Sequence, residues 1–280
     1  MNSLLFRVIK CSLILICCHS GYLQASLLIS PTQVTLNDRE RSTSLVLINT
    51  GQETRTYRLS WQQKSVLENG SYHNLTEEEA KTFPTASGMI RFSPKQVTLK
   101  PDERQTIRLA VRRPKGLADG EYRSHLLLKA LPPKSPESSN VNGIRIKLNV
   151  VMSYSLPIIV RQGEIDASVA LTSVTLAKEK TFPRATITAL LNHSGRNSVT
   201  GNIIAYWQPS QDAPEQIVAR VHGYTVYPEL TQHKIQLTWP DYTPARGNLR
   251  LAFEGVKEFN GVLLAEKSIL VTLDSIKTVP

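Results

Sequence analysis

Beyond residue 25 the chain has no cysteine; all three, Cys11, Cys17 and Cys18, fall before it. Whatever folds after that point does so without a disulfide or a thiolate metal site, and must rest on apolar cores. Aromatic residues are few, 6% of the chain, and past the first segment no apolar run is long enough for a membrane-spanning helix. There is no glycine-rich phosphate loop, no Gly-x-Ser-x-Gly and no His-Glu-x-x-His. His73, His125, His193, His222 and His233 are isolated, with no two at ligand spacing on one strand, and read as surface or loop residues. Aspartate and glutamate form no pair suited to acid–base work. These absences leave a non-enzyme with no cofactor and no metal.

Negative charge is also short. Thirty-three lysines and arginines face 23 acids, a formal charge of +10, two units of which belong to Arg7 and Lys10. Basic residues are scattered through strand-like segments. The one tight group, Arg112-Arg113-Pro114-Lys115, stands where a strand ends and reads as a solvated loop. With few aromatics nearby to stack on bases, no nucleic-acid partner is expected.

What is present begins with a leader. Residues 1–25 place Arg7 and Lys10 before the apolar run Leu13-Ile14-Leu15-Ile16-Cys17-Cys18. That is long enough for a signal-peptide core and too short to cross a bilayer. Cleavage falls after Ala25 or nearer Ser20. Lipidation of a leader cysteine is the lesser option, because Ile16 and Cys17 stand where small residues are required. The mature chain is expected to be exported, without stable membrane insertion.

From residue 26 the pattern is short strands and turns: Leu27–Leu36 broken by Pro31, Ser44–Asn49, Arg55–Lys64, Met89–Phe92, Arg104–Arg112 and Glu121–Leu131. A polar excursion, Glu68–Lys81, carries Glu77-Glu78-Glu79 and reads as one helical turn capped by Asn74 or Thr76. After Pro132-Pro133-Lys134-Ser135-Pro136, a proline- and serine-rich loop, comes the longest regular stretch. Ile144, Ile146, Leu148, Val150, Met152, Tyr154 and Leu156 occupy every second position, which places them on one face of a β-strand. Gln162-Gly163 marks a joint. Seven further strand patterns follow between Ile165 and Leu273, with a frayed tail after Asp274. Spacing of this kind with almost no helix predicts an all-β protein of two antiparallel sandwiches, residues 26–161 and 162–280.

In order, these pieces resemble the PapD-like periplasmic pilus-assembly chaperones. The resemblance is carried by Ile90-Arg91-Phe92-Ser93-Pro94, Val97-Thr98-Leu99-Lys100-Pro101, Gln105-Thr106-Ile107-Arg108-Leu109, Glu121-Tyr122-Arg123-Ser124-His125-Leu126 and Ser155-Leu156-Pro157-Ile158-Ile159-Val160-Arg161. It implies two immunoglobulin-like domains in tandem and a periplasmic location. It also implies pilus or fimbrial subunits and an outer-membrane usher as partners, with donor-strand complementation as the mechanism. Ile144, Ile146, Leu148 and Val150 would then be the side chains lent to a subunit. The family's carboxylate-holding arginine and lysine are replaced here: by counting, Gln33 and Met152 take their places. Arg123, Lys147 and Arg161 are the candidate replacements, because a bound carboxylate needs a charge-assisted donor. The missing disulfide places the chain nearer the family's divergent, alternative branches. The competing reading is a secreted two-domain adhesion or carbohydrate-binding module. It would need exposed aromatics, whereas Trp61, Trp207 and Trp239 all lie in or at the end of strand patterns.

Overall fold

The computed structural model describes residues 27–132 and 152–279. The leader, the proline-rich loop and the stretch holding Ile144, Ile146, Lys147, Leu148 and Val150 lie outside the described residues. In chain order the first sandwich is built from β1 (Leu28–Ser30), β2 (Val34–Leu36), β3 (Ser42–Ile48), β4 (Arg55–Gln62), β5 (Lys64–Val66), β6 (Tyr72–Asn74), α1 (Glu77–Thr82), β7 (Ile90–Ser93), β8 (Gln96–Leu99), β9 (Arg104–Val111), β10 (Gly120–Ala130) and β11 (Ser153–Gln162). The second contains β12 (Ala167–Glu179), β13 (Ala185–Gly195), β14 (Val199–Gln208), β15 (Gln216–Val226), β16 (Gln232–Trp239), β17 (Gly247–Gly255), β18 (Leu263–Val271) and β19 (Lys277–Val279).

Four sheets carry the fold: β1-β3-β9-β7 against β2-β11-β10-β4-β8, and β16-β13-β12-β19 against β15-β14-β17-β18. Strands such as β7 and β8 bury alternate residues, because a period of two sends successive side chains to opposite faces. The first core gathers Leu36, Leu45, Leu47, Ile107, Leu109, Leu126, Leu128, Ile158 and Val160, all fully buried. The second gathers Ile187, Leu191, Ile203, Leu249, Leu251 and Phe253. Burial of this size contributes roughly 1.5–3 kcal/mol per side chain, which is how a chain without disulfides holds two domains together. Trp207 stacks at a tilt on Trp239 (5.3 Å), and Trp239 on Tyr242 (4.7 Å), at the edge of the second core. Trp61 meets Phe92 edge-on in the first sandwich. The tryptophans are packing residues.

Several expectations change. The single strand from Leu27 to Leu36 is two: β1 pairs antiparallel with β3, and β2 pairs parallel with β11 in the opposite sheet. Pro31 lacks an N–H, so the ladder cannot run through it and the chain crosses between sheets there. Thr76, not Asn74, caps α1: its hydroxyl accepts from Glu79 N, and Glu79 reaches back to Thr76 N (2.7 Å) in a capping box. The tail is not frayed, because β19 pairs in parallel with the outer edge of β12. β5 and β6 form a hairpin that the polar character of Glu68–Lys81 concealed. The basic group after β9 is not uniformly solvated. Arg113 donates to the carbonyls of Leu36 (3.2 Å), Asn37 (2.5 Å) and Glu40 (2.7 Å), pinning the end of β2, and to that of Arg161 (3.3 Å). Three histidines expected at the surface, His125, His193 and His233, are buried.

The sandwiches join at Gly163, whose φ is +77°; a Cβ there would come within 2.4 Å of the Asp119 carboxyl carbon. Only glycine meets both conditions without strain.

Candidate functional site

β11 and its surroundings concentrate the features singled out in the sequence. On one side it pairs antiparallel with β10 along its whole length, from Gln162 opposite Gly120 to Ser153 opposite Lys129. On the other it meets only the short β2, at Ile158, Ile159 and Val160. Among the described residues, the outer edge from Ser153 to Pro157 has no strand partner. An unpaired edge presents free backbone N–H and C=O groups to any strand that can lie beside it.

The alternation continues past the end of the core. Val160, Ile158 and Leu156 are buried, Tyr154 is half-buried with its ring edge-on to Tyr57 (6.5 Å), and Met152 is 55% exposed. The strand's core-facing side chains therefore run out from under the sandwich toward the N-terminal end of β11. Ile144, Ile146, Leu148 and Val150 share this parity in sequence. Gln33 lies beside Pro157 on a cavity of about 290 Å³ that also involves Tyr72, Tyr224 and Tyr227. Met152 is five positions away from Pro157, so the two positions paired by counting do not meet.

The candidate arginines lie at the joint between the sandwiches. Arg161, at the end of β11, donates to Glu121 of β10 through Nε (3.2 Å), to Glu258 through Nη1 (2.5 Å) and to the Ser198 carbonyl through Nη2 (2.9 Å). Glu121 Oε2 also accepts from the Ser198 amide (2.9 Å) and hydroxyl (2.7 Å). Arg123, two residues further along β10, forms a forked ion pair with Glu229, and its guanidinium sits 3.8 Å from the Tyr227 ring centroid. Burial works against the charge on Arg123, but the hydrogen bond and field of Glu229 more than offset it and hold the pKa above its ordinary value. Both arginine side chains are at most 3% exposed. Alternation along β10 and β11 turns Arg123 and Arg161 away from the first core, and the second sandwich closes over them.

The β5–β6 hairpin reinforces the joint. Val66 N donates to Glu229 Oε1 (3.0 Å), the hydroxyls of Tyr72 and Tyr227 are 3.1 Å apart, and Lys234 N donates to the Glu68 carbonyl (3.0 Å). Val66, Ile159 and Tyr227 form a small third core between the sandwiches, with Leu230 packed against it. His125 lies beneath the hairpin, edge-on to Tyr72 (5.0 Å). Neither of its ring nitrogens has a partner among the described residues. Burial, with the charges of Arg123 and Lys64, pushes its pKa down to about 3, so it is neutral at ordinary pH. A cavity of about 670 Å³ opens beside these contacts, lined by Phe83, Pro84, Glu121, Tyr122, Glu229 and Leu230 among others.

Sequence reasoning named Arg123 and Arg161 as candidate carboxylate anchors, and the structure pairs both with internal carboxylates. That reasoning missed Glu121, Glu229, Glu258, Ser198 and the hairpin, none of which carries a local signal. Among the described residues no cluster of three metal-ligating side chains occurs, and no helix is long and apolar enough to cross a membrane.

Residues 26–165 match the pili and flagellar-assembly chaperone family, PapD N-terminal domain. The chain belongs to that family, whose members are assembly chaperones and not enzymes. No curated protein matches. Among solved structures, the chain is similar to the YadV chaperone, at 12% identity over 88% of this chain and 100% of that one, with a TM-score of 0.47. It is also similar to the CsuC–CsuE chaperone–tip adhesion subunit complex of the archaic Csu pili of Acinetobacter baumannii (15%, 91% and 100%, 0.43). A third similarity is to the SafA pilin–SafB chaperone complex of Salmonella enterica (12%, 89% and 97%, 0.43). Membership of the family rests on residues 26–165.

Proposed function

We propose that this protein is a periplasmic chaperone that captures pilus or surface-fibre subunits by donor-strand complementation and delivers them to an outer-membrane usher. The observation that carries the reading is the outer edge of β11 from Ser153 to Pro157, which has no strand partner among the described residues, with a core-facing alternation that leaves the sandwich at Met152. A subunit lacking one strand would add its sheet to this edge through backbone hydrogen bonds. Ile144, Ile146, Leu148 and Val150 would fill its open groove. Each buried side chain would contribute roughly 1.5–3 kcal/mol before ordering costs. The solved complexes of CsuC with CsuE and SafB with SafA pair a chaperone with a subunit, which is the kind of partner this reading requires. The tryptophans are packed in or against the cores, which removes the support for a sugar-binding platform.

Arg123 and Arg161 are committed to Glu229, Glu121 and Glu258, so a subunit carboxylate reaches them only by displacing an internal partner. The anchoring role therefore passes to Lys147.

The test is co-purification of subunit with the mature chain from a periplasmic extract. Replacing Ile146 or Leu148 by Asp is expected to abolish the complex while leaving the melting temperature unchanged. Lys147→Gln is expected to lower the yield at low salt and to matter less at raised salt, where screening already weakens the pairing. A complex that survives both Asp substitutions would overturn the donor-strand reading.

A further inference from the structure

The outer face of the β1-β3-β9-β7 sheet points away from β11, from the joint and from the second sandwich. Its outward residues follow from the register. Leu28, Ile48 and Arg104 lie in one row, and Ser30, Val46 and Thr106 in the next. Ser44, Arg108 and Ser93 form the third, and Ser42, Ala110 and Arg91 the fourth. Arg112, one residue beyond β9, continues the ladder by donating from its amide to Met89 O (2.8 Å).

Arg104, Arg108 and Arg112 thus stand at every fourth position of one strand, ~13 Å apart at the rise of an extended chain. Arg91 fills the space beside Ala110, between the last two. All four are exposed, and none forms an ion pair among the described residues, although Arg55, Arg184, Arg196 and Arg250 all do. No aspartate or glutamate occupies an outward position on the four strands. Glu103, next to Arg104, turns its carboxylate back to the Lys100 amide (2.8 Å).

We propose that this face is a docking surface for an anionic phospholipid bilayer, with Arg91, Arg104, Arg108 and Arg112 pairing with headgroup phosphates. Guanidinium groups present planar, forked donors that fit phosphate oxygens. Between the arginines the face is small and flat: serine, threonine and alanine. A protein partner would be expected to find aromatic or large apolar anchors at the centre of its footprint. Here the apolar residues, Leu28, Ile48 and Val46, sit toward one end and none is aromatic. Charge without central anchors suits a plane of headgroups, where each basic residue strengthens binding about fivefold and the attraction falls off within a Debye length. Docked this way, the chain would keep the edge of β11 in the opposite sheet turned to the aqueous side.

The experiment is co-sedimentation of the full mature chain with vesicles of phosphatidylglycerol and phosphatidylethanolamine, against vesicles of phosphatidylcholine, at low and raised salt. Binding is expected to the first vesicles only, and to weaken with salt. The double variant R104Q/R108Q should bind roughly 25-fold more weakly, at about fivefold per arginine. The control R58Q/K129Q removes the same charge from exposed residues of the opposite sheet and should change binding less than twofold. All variants alter exposed positions, and an unchanged melting temperature verifies folding. Binding no stronger to phosphatidylglycerol than to phosphatidylcholine, or equal losses in the two doubles, would overturn the proposal. So would vesicle failure beside an Arg104/Arg108-dependent complex with an acidic protein, which would give the face to a protein partner.

Discussion

His125 is the residue whose surroundings make the clearest quantitative demand. Its ring is 1% exposed, with Tyr72 and Lys64 of the hairpin strands on one side, Gln62 and Pro157 opposite it on the neighbouring strands, and Arg123 on its own strand. Among these neighbours no carboxylate compensates a proton. With a folded pKa near 3 and an unfolded value near 6.5, the unfolded chain binds the proton first as pH falls. The stabilisation is therefore complete above pH 6.5 and is lost progressively down to about pH 3. Between pH 7 and pH 5 this amounts to about 2 kcal/mol. Burial also holds the pKa of His233 down, so it adds in the same direction. Urea unfolding at both pH values should show His125→Leu losing about 2 kcal/mol less on acidification than the parent; equal losses would disprove the assignment. The Arg123–Glu229 pair makes a second demand. Arg123→Gln leaves a mostly buried carboxylate unpaired and is expected to cost about 3–5 kcal/mol, whereas replacing both partners with apolar residues is expected to be near neutral. A double-mutant cycle measured by denaturant unfolding checks this.

At the scale of the element, β11 has two regimes within one alternation. Leu156 is 3% exposed and Met152 is 55% exposed, four residues apart on the same parity. Leu156→Asp would bury an unpaired carboxylate and is expected to destabilise the first sandwich by several kcal/mol. The same substitution at Ile146 is expected to leave the melting temperature alone. Thermal denaturation of the two variants side by side gives the position at which the strand stops serving its own core. β2 sets the other limit. It covers β11 only from Ile158 to Val160, and Arg113 fixes its end by bonding the carbonyls of Leu36, Asn37 and Glu40. The basic group that reads as a solvated loop is thus divided. Arg113 limits how much of β11 is covered, while Arg112 faces outward.

At the scale of the whole molecule, the described residues form two sandwiches clamped by two buried ion-pair groups, a hairpin and a three-residue core. Buried pairs of this kind are weak evidence of stability, because desolvation offsets most of the attraction. Their directional bonds do fix geometry. Arg161 joins β10 and β11 of the first sandwich to Ser198 and Glu258 of the second, and Arg123 does the same through Glu229. The edge of β11 is therefore held at a set position relative to β15, whose residues line the cavity beside Gln33 and Pro157. With no cysteine beyond Cys18, none of this rests on a covalent cross-link. The denaturation midpoint of the mature chain is expected to be the same with and without a thiol reductant; a drop on reduction would show that a leader cysteine is retained and paired.

The sequence by itself determined the fold class, the absence of disulfides in the folded part, nearly every strand of the second sandwich and the alternation of β11. These are local or compositional properties: a period of two is written in neighbouring residues, and a missing cysteine needs no coordinates. Gly163, which the sequence marks as part of a joint, has a positive φ. Tertiary structure alone decided what the charged residues do. Arg123 meets Glu229 across 106 residues, and Arg161 meets Ser198 across 37. No spacing rule links groups on different sandwiches, so the same arginines read as free cations until the second sandwich is in place. His125 is the same case from the apolar side. Its pattern on β10 fits a solvent-facing position, and only the return of the β5–β6 hairpin over the sheet buries it.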